Sequence, residues 1–134
     1  MNTKNTGEQT HGEIDNGTAI TNVSSAFICY IGDGKFLYRN WHEGGKLYLA
    51  SINDIDNGTA VTSVSSFFPC YIGDGKFIYR NDDVGGHVYV ASINDINNGT
   101  AVTSVDSVSP FPVGGGEFIY LNWQDKKYYK NNAK

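Results

Sequence analysis

Residues 55–95 read IDNGTAVTSVSSFFPCYIGDGKFIYRNDDVGGHVYVASIND, a 41-residue stretch that recurs along the chain. Residues 14–54 repeat it without a gap and match it at 30 of 41 positions. A third copy begins at Ile96 and loses its similarity toward the end of the sequence. A repeat of this length is typical of propellers and related arrays, so the fold has to be built from the repeat. We divide the chain into a polar leader, residues 1–13, and three repeats, 14–54, 55–95 and 96–134.

Each repeat carries the sequence signals of β-strands. Runs of β-branched and aromatic residues alternate with Gly, Asn and Asp, and no extended 3.6-residue periodicity appears. Three dipeptides between these runs favour hairpin turns: Asn57-Gly58, Asp74-Gly75 and Gly85-Gly86. The sequence therefore predicts an all-β chain, with strands in the middle repeat at residues 59–64, 68–72, 76–80 and 87–92.

A tandem four-stranded unit of this length leaves two architectures, the β-propeller blade and the β-trefoil lobe. The trefoil is favoured by length, because it closes with three such lobes. The propeller is favoured by Phe77-Ile78-Tyr79 and Val88-Tyr89-Val90, which are apolar at consecutive positions and so predict two covered sheet faces. The propeller is also favoured by the position of the repeat boundaries, because the first repeat begins with a strand that could complete the last blade. We therefore predict three four-stranded propeller blades, with the trefoil as the alternative.

Two groups of residues carry a resemblance to known families. Ile78-Tyr79-Arg80-Asn81-Asp82, followed by Gly85-Gly86-His87-Val88-Tyr89, resembles the blade core of YWTD-type and TolB-like propeller repeats. This resemblance implies a fold and no activity. A second likeness, to small tandem-repeat propeller lectins, lies in residues 60–63 and the Gly75-Lys76 turn, but the sugar-binding residues of those lectins do not match here. Residues 57–61 are similar to trefoil lectins, whose Gln-x-Trp signature is absent.

Three blades are too few for a closed ring, since propellers use about four to eight. We therefore expect the missing blades to come from a second copy of the chain, as a homodimer that forms a six-bladed ring. The N-terminal strand of each copy, predicted at residues 18–23, would complete the final blade of the other by strand exchange. A monomer in light scattering would instead favour the trefoil.

Composition narrows the function classes. The formal net charge of −4 argues against nucleic acid as a partner, because such partners are bound through basic faces. No apolar run is long enough to predict a membrane span, and the polar N-terminus has no signal-peptide pattern. Two unpaired cysteines suit a reducing compartment, so the cytoplasm is slightly favoured while the compartment stays unassigned.

The sequence contains no recognisable catalytic or metal-binding motif. Cys29 and Cys70 occupy the same repeat position, where the third copy has Phe111, so we predict buried free thiols acting as apolar filler. His11, His42 and His87 lack metal-ligand spacing. The acidic stretch 53–58 lacks the calcium-loop register, and residues 73–76 are not followed by the Ser or Thr of a phosphate loop. We expect no cofactor and no enzymatic activity.

The loop between the third and fourth predicted strands, residues 40–43 and 81–84, differs between the first two repeats, which are otherwise nearly identical. In a propeller such loops gather around the channel mouth, and aromatic rings flanked by polar groups are suited to sugars. The alternative is neutral drift, because loops vary at little cost to stability. We predict a non-enzymatic, lectin-like binding module, with a structural or protein–protein interaction propeller as the alternative. The candidate ligand-binding residues are Asn40, Trp41, His42, Glu43, Asn81, Asp82, Asp83, Asn122, Trp123 and Gln124.

Overall fold

The computed structural model describes residues 13–133, which form eleven strands in three antiparallel sheets. The first sheet contains β1 (Ser25–Gly32), β2 (Lys35–Asn40), β3 (Lys46–Ser51) and β4 (Asp54–Ala60). The second contains β5 (Ser66–Gly73), β6 (Lys76–Asn81), β7 (His87–Ser92) and β8 (Asp95–Ala101). The third contains β9 (Ser107–Gly114), β10 (Glu117–Asn122) and β11 (Lys127–Asn132). The all-β prediction is confirmed, and each sheet is a meander of sequential strands.

The tight hairpins follow directly from the turn residues. Asp33 and Gly34, between β1 and β2, have φ angles of 54° and 70°, and Asp74 and Gly75 repeat this geometry. Positive φ at both central residues is the requirement of a type I′ turn, which Asp-Gly meets at low cost. The strand predictions at 68–72, 76–80 and 87–92 are confirmed, because they fall within β5, β6 and β7.

The strand predicted at 59–64 is wrong in position. β4 and β8 end at Ala60 and Ala101, and residues 61–65 are a linker to the next sheet. Asn57-Gly58 lies inside β4 and makes no turn; the turn falls at Ile52 and Asn53, where Ile52 N–H donates to Gly34 O. Glycine is needed at position 58 because a Cβ there would lie 2.8 Å from the carbonyl oxygen of Leu49.

The strand predicted at 18–23 is also not observed. Residues 13–24 form no strand, although residues 13–19 are the sequence equivalent of β4. Beyond them, the Asn22 N–H and the Thr21 hydroxyl donate hydrogen bonds to the Asp56 carboxylate and lower its pKa. The sheets thus begin at Ser25, Ser66 and Ser107, out of phase with the repeat boundaries. The predicted leader, apart from Glu13, lies outside the described residues.

The sheets pack face to face. Phe77 and Tyr79 of the second sheet pack in one cluster with Leu37 and Leu47 of the first. The neighbouring positions on the same strands point the other way, and they pack against the third sheet in a second cluster formed by Ile78, Val88, Phe118 and Tyr120. Both faces of the middle sheet are therefore covered, as its consecutive apolar residues predicted. Between the sheets, β1 lies against β5 and β5 against β9, so the sheets converge at their first strands.

A repeated polar network attaches each linker to the sheets on either side. The buried Thr62 Oγ1 accepts a hydrogen bond from Leu47 N–H of the first sheet and contacts the Ser66 hydroxyl of the second at 2.9 Å. Thr103 repeats this arrangement one repeat later, with Val88 and Ser107. The linker and the stacked faces therefore hold successive sheets in one fixed relation.

Gly99 provides a test of the close approach of β8 to β7. A Cβ at Gly99 would overlap the carbonyl oxygen of Val90, and φ there is +74°. We expect Gly99→Ala to lower the free energy of unfolding in urea by about 1–2 kcal/mol for the backbone and by a further 1–3 kcal/mol, roughly, for the overlap. Gly44→Ala is the control, because its φ is +70° and nothing lies within 4 Å. Equal losses in the two variants would contradict the steric account.

Candidate functional site

The three candidate loops lie at one edge of the stack, beside the linkers. They join β2 to β3, β6 to β7 and β10 to β11. Each loop begins with the same hydrogen bond to the preceding linker: Trp41 N–H to Ser24 O, Asp82 N–H to Ser65 O, and Trp123 N–H to Asp106 O. The repeat therefore presents the first loop residue, Trp, Asp or Trp, at an equivalent place on every sheet.

The three candidate asparagines shape these loops. Asn40, Asn81 and Asn122 are buried, and the side-chain oxygen of each accepts a hydrogen bond from the backbone N–H two residues later. Such a bond caps the short turn that follows. The members of the predicted set that face solvent are the others: Trp41, His42, Glu43, Asp82, Asp83, Trp123 and Gln124.

Both tryptophans are half exposed, and each has a cation against its ring. Trp41 is 51% exposed, with the Arg39 guanidinium carbon 4.4 Å from the ring centroid. Trp123 is 49% exposed, with the Lys126 ammonium 3.4 Å from the centroid, and that ammonium also donates to Trp123 O. Cation–π contact of this kind holds an exposed ring in place. The first and third loops therefore each present a supported aromatic platform.

Arg39 fixes the first platform from below. Its guanidinium is buried, donates to the carbonyl oxygens of Gly45 and Ser66, and stacks 3.9 Å from the Phe67 ring centroid. Burial lowers the pKa of Arg39, and the charge on Asp82 opposes that shift. An arginine stays charged under these conditions, so the cation beneath Trp41 is permanent.

The charged side chains at the second loop bond to one another and to the neighbouring linker. Arg80, the equivalent of Arg39, donates to the carboxylates of Asp82 and Asp106 at 2.9 and 2.8 Å. Asp83 accepts a hydrogen bond from Ser65 N–H. With no aromatic ring and with these carboxylates engaged, the second loop offers less to a ligand than the other two.

The third loop is one residue shorter than the others. Tyr120 pairs with Tyr129, nine residues later, whereas Tyr79 pairs with Tyr89, ten residues later. Lys126, with φ of 62°, takes the left-handed conformation that the glycine pair adopts elsewhere. The Tyr129 hydroxyl donates to Asp125 and lowers the pKa of that carboxyl. The shorter loop thus keeps a negative charge next to Trp123.

The sequence did not reveal a second feature, which lies on the first strand of each sheet. Phe27, Phe68 and Ser109 hold equivalent positions and have φ between 51° and 56°, which is strained for an aromatic residue. The irregularity bends β1 and β5 and brings Phe27 within 5.5 Å of Phe67, measured between ring centroids. Beside them lies an open apolar groove of about 260 Å³. The only sequence signal was the loss of strand alternation at Phe67-Phe68-Pro69.

The cysteines are free, which confirms that part of the prediction, but they are half-buried where the sequence predicted buried thiols. Cys29 Sγ accepts a hydrogen bond from Tyr71 N–H, and Cys70 Sγ donates to Pro110 O. Burial raises the pKa of Cys29, although the bond from Tyr71 opposes this, and burial raises the pKa of Cys70 to about 12. A thiol that stays protonated is a poor nucleophile and a poor metal ligand.

Within residues 13–133 no three His, Cys, Asp or Glu side chains are grouped closely enough to hold a metal ion. His11 lies outside the described residues. No helix of the described chain is long and apolar enough to cross a membrane. Comparison with protein-family models, curated proteins and solved structures finds no significant match, so the site has to be interpreted from its own chemistry.

Alkylation by iodoacetamide tests the thiol environment. Because the raised pKa keeps Cys70 protonated as the pH rises, we expect its alkylation at pH 9 to be at least about a hundredfold slower in the native protein than in urea. Cys29 should be slowed as well, since its pKa is also raised. Peptide mass spectrometry gives the rate at each site. Native and denatured rates that agree at Cys70 would contradict the buried environment.

Proposed function

We propose that this protein is a non-enzymatic, lectin-like carbohydrate-binding module whose ligands stack on Trp41 and Trp123. The observation that carries the proposal is the pair of half-exposed indole rings at equivalent loop positions, each supported by a cation. An indole offers a ligand both an apolar face and an N–H donor. These rings are therefore the best candidates for ligand contact.

The chemistry around the rings fits a sugar. The C–H groups on one face of a pyranose can pack on an indole, while hydroxyl groups at the sugar edge need donors and acceptors nearby. His42 and Glu43 are exposed beside Trp41, and Gln124 and Asp125 are exposed beside Trp123. A single shallow site with one aromatic ring is expected to bind a sugar weakly. Two sites on one rigid stack gain strength through avidity when the ligand presents several sugars.

The proposal includes the propeller arrangement. Three separate meander sheets that stack face to face and converge at their first strands support it, since blades fan out from a central axis in this way. The inner strands β1, β5 and β9 would then line the axis, and the three loops would lie together on one face of the ring.

A glycan array, followed by a fluorescence titration, tests the binding proposal. The chain has only two tryptophans, and both are in the proposed sites, so intrinsic fluorescence reports on binding directly. For the best glycan on the array, isothermal titration calorimetry with a monovalent sugar should show that Trp41→Ala and Trp123→Ala each weaken binding at the site that loses its ring by at least about tenfold, equivalent to roughly 1.4 kcal/mol.

Val84→Ala is the control, because Val84 is an exposed residue of the second loop, which has no aromatic ring. It should leave sugar affinity unchanged. Circular dichroism establishes that each variant remains folded. An array without a bound glycan would overturn the carbohydrate proposal. Loss of a protein partner in the two tryptophan variants would then support the alternative, an interaction propeller.

A further inference from the structure

Among the residues that the structure describes, the third sheet has three strands, without the fourth strand that the other two possess. In the first two sheets the third strand pairs with a fourth, through Leu49 with Thr59 and Val90 with Thr100. The equivalent residue on β11 is Lys130, which pairs with Ile119 on its inner side. Within residues 13–133 no strand lies on the other side of β11. An open strand edge of this kind is a template for another strand.

The chain also contains a segment that has the sequence of a fourth strand but pairs with no sheet. Residues 13–19 read EIDNGTA, against DIDNGTA in β4 and DINNGTA in β8, yet they are exposed and form no strand. The residues that follow them are already placed as a linker. Trp41 N–H bonds to Ser24 O as the second and third loops bond to their own linkers. Residues 20–24 are therefore placed against the first sheet in the same way as the linkers that follow β4 and β8 are placed against the second and third sheets.

We propose that residues 13–19 of one copy form the fourth strand on β11 of a second copy, so that two chains close one six-sheet ring by reciprocal strand exchange. Superposition of the repeats sets the register: Thr18 opposite Lys130 and Ala19 opposite Tyr129, antiparallel, as Thr100 and Ala101 lie opposite Val90 and Tyr89. The inference uses the propeller arrangement proposed above and does not use the carbohydrate site.

The end faces of the stack complement one another in the same way. Phe111 and Tyr128 of the third sheet are 61% and 72% exposed, whereas their equivalents Cys70 and Val88 pack against the neighbouring sheet. On the opposite end, Tyr30 of the first sheet is 64% exposed, whereas its equivalent Tyr71 packs against the first sheet. Docking the third sheet of one copy on the first sheet of another buries both sets, as the internal interfaces do.

The linker shows the same complementarity. Ile20 is 51% exposed, while its equivalent Val61 is 4% exposed and donates its N–H to Leu47 O on the preceding sheet. In the proposed ring Ile20 would bond to Tyr128 O of the second copy. One exchange therefore pairs the open edge of β11, gives the Ile20 N–H an acceptor and buries the exposed apolar side chains of the two end faces.

The segment cannot reach β11 of its own chain. Thr21 is anchored to Asp56 on the first sheet, and two residues of chain span at most about 7 Å. The third sheet lies two layers away, roughly 20 Å at the usual spacing between sheets. Two copies give six sheets, within the usual four to eight, and the same head-to-tail interface then occurs twice and closes the ring.

Sedimentation velocity and light scattering across micromolar concentrations test the assembly. We expect a species of twice the 14.7 kDa chain mass. Gly17→Ala should weaken the dimer by at least about tenfold, because a Cβ at that position would meet Lys130 O of the second copy as one at Gly99 meets Val90 O. Within one chain nothing lies within 4 Å of Gly17, so the fold of each chain should persist. Gly44→Ala, with similar φ and open surroundings, should remain dimeric.

A crosslink tests the register and the identity of the partner strand. Cα atoms of directly opposed residues lie about 4.5–5.5 Å apart, within disulfide range. The double variant Thr18→Cys, Lys130→Cys should oxidise to a covalent dimer on a non-reducing gel, and each single variant should not. A wild-type monomer, an intrachain crosslink or an uncrosslinked double variant would overturn the exchange. Sugar binding by a stable monomer would leave the carbohydrate proposal standing, so the two proposals fail separately.

Discussion

The stacking of one sheet face on the next is the interaction on which this structure depends. The central strand of each sheet has apolar residues at consecutive positions, so both of its faces exclude water. Phe77 and Ile78 point in opposite directions and both are fully buried. Burying such side chains contributes about 1.5–3 kcal/mol each. Every repeat carries this pattern, and at the outer face of the first sheet Phe36 and Tyr38 are buried with Ile55 of the same sheet and Val23 of the segment before it. Within residues 13–133 only the middle sheet has a sheet against both faces, and the assembly proposed above would give each of the outer two a second neighbour.

This stacking also explains where the repeats are free to differ. The loop asparagines cap their loops in the same way in successive repeats, and Thr62 and Thr103 connect successive sheets through the same contacts. Residues 41–43 and 82–84 sit on that repeated framework and contribute little to it, so they can vary. The ring faces of Trp41 and Trp123 are consequently presented by a rigid support, and rigid aromatic platforms lose little conformational entropy when a ligand binds.

Repeat length, the hairpin turn at Asp74-Gly75 and the two-faced strands could be predicted from the sequence, because Asp-Gly and the consecutive apolar residues are local signals. The fourth strand was misplaced because Asn57-Gly58 has the residues of a turn, while its glycine is required by the nearby Leu49 carbonyl, a tertiary contact. The candidate loops were found by comparing repeats. The capping role of Asn40 and the cation beneath Trp41 could not be found in this way, since both depend on side-chain geometry across neighbouring segments.

The near-identity of residues 13–19, β4 and β8 has a consequence for how the chain folds. During synthesis the first of these segments emerges before β3 exists, and β3 can in principle pair with either that segment or β4. The two sequences differ only at the first position, Glu13 against Asp54, so side-chain pairing provides little discrimination. Chain connectivity therefore determines which segment pairs with β3. The two-residue turn at Ile52 and Asn53 keeps β4 at a far higher local concentration near β3 than residues 13–19. A lengthened turn would slow correct pairing and favour misregistered chains.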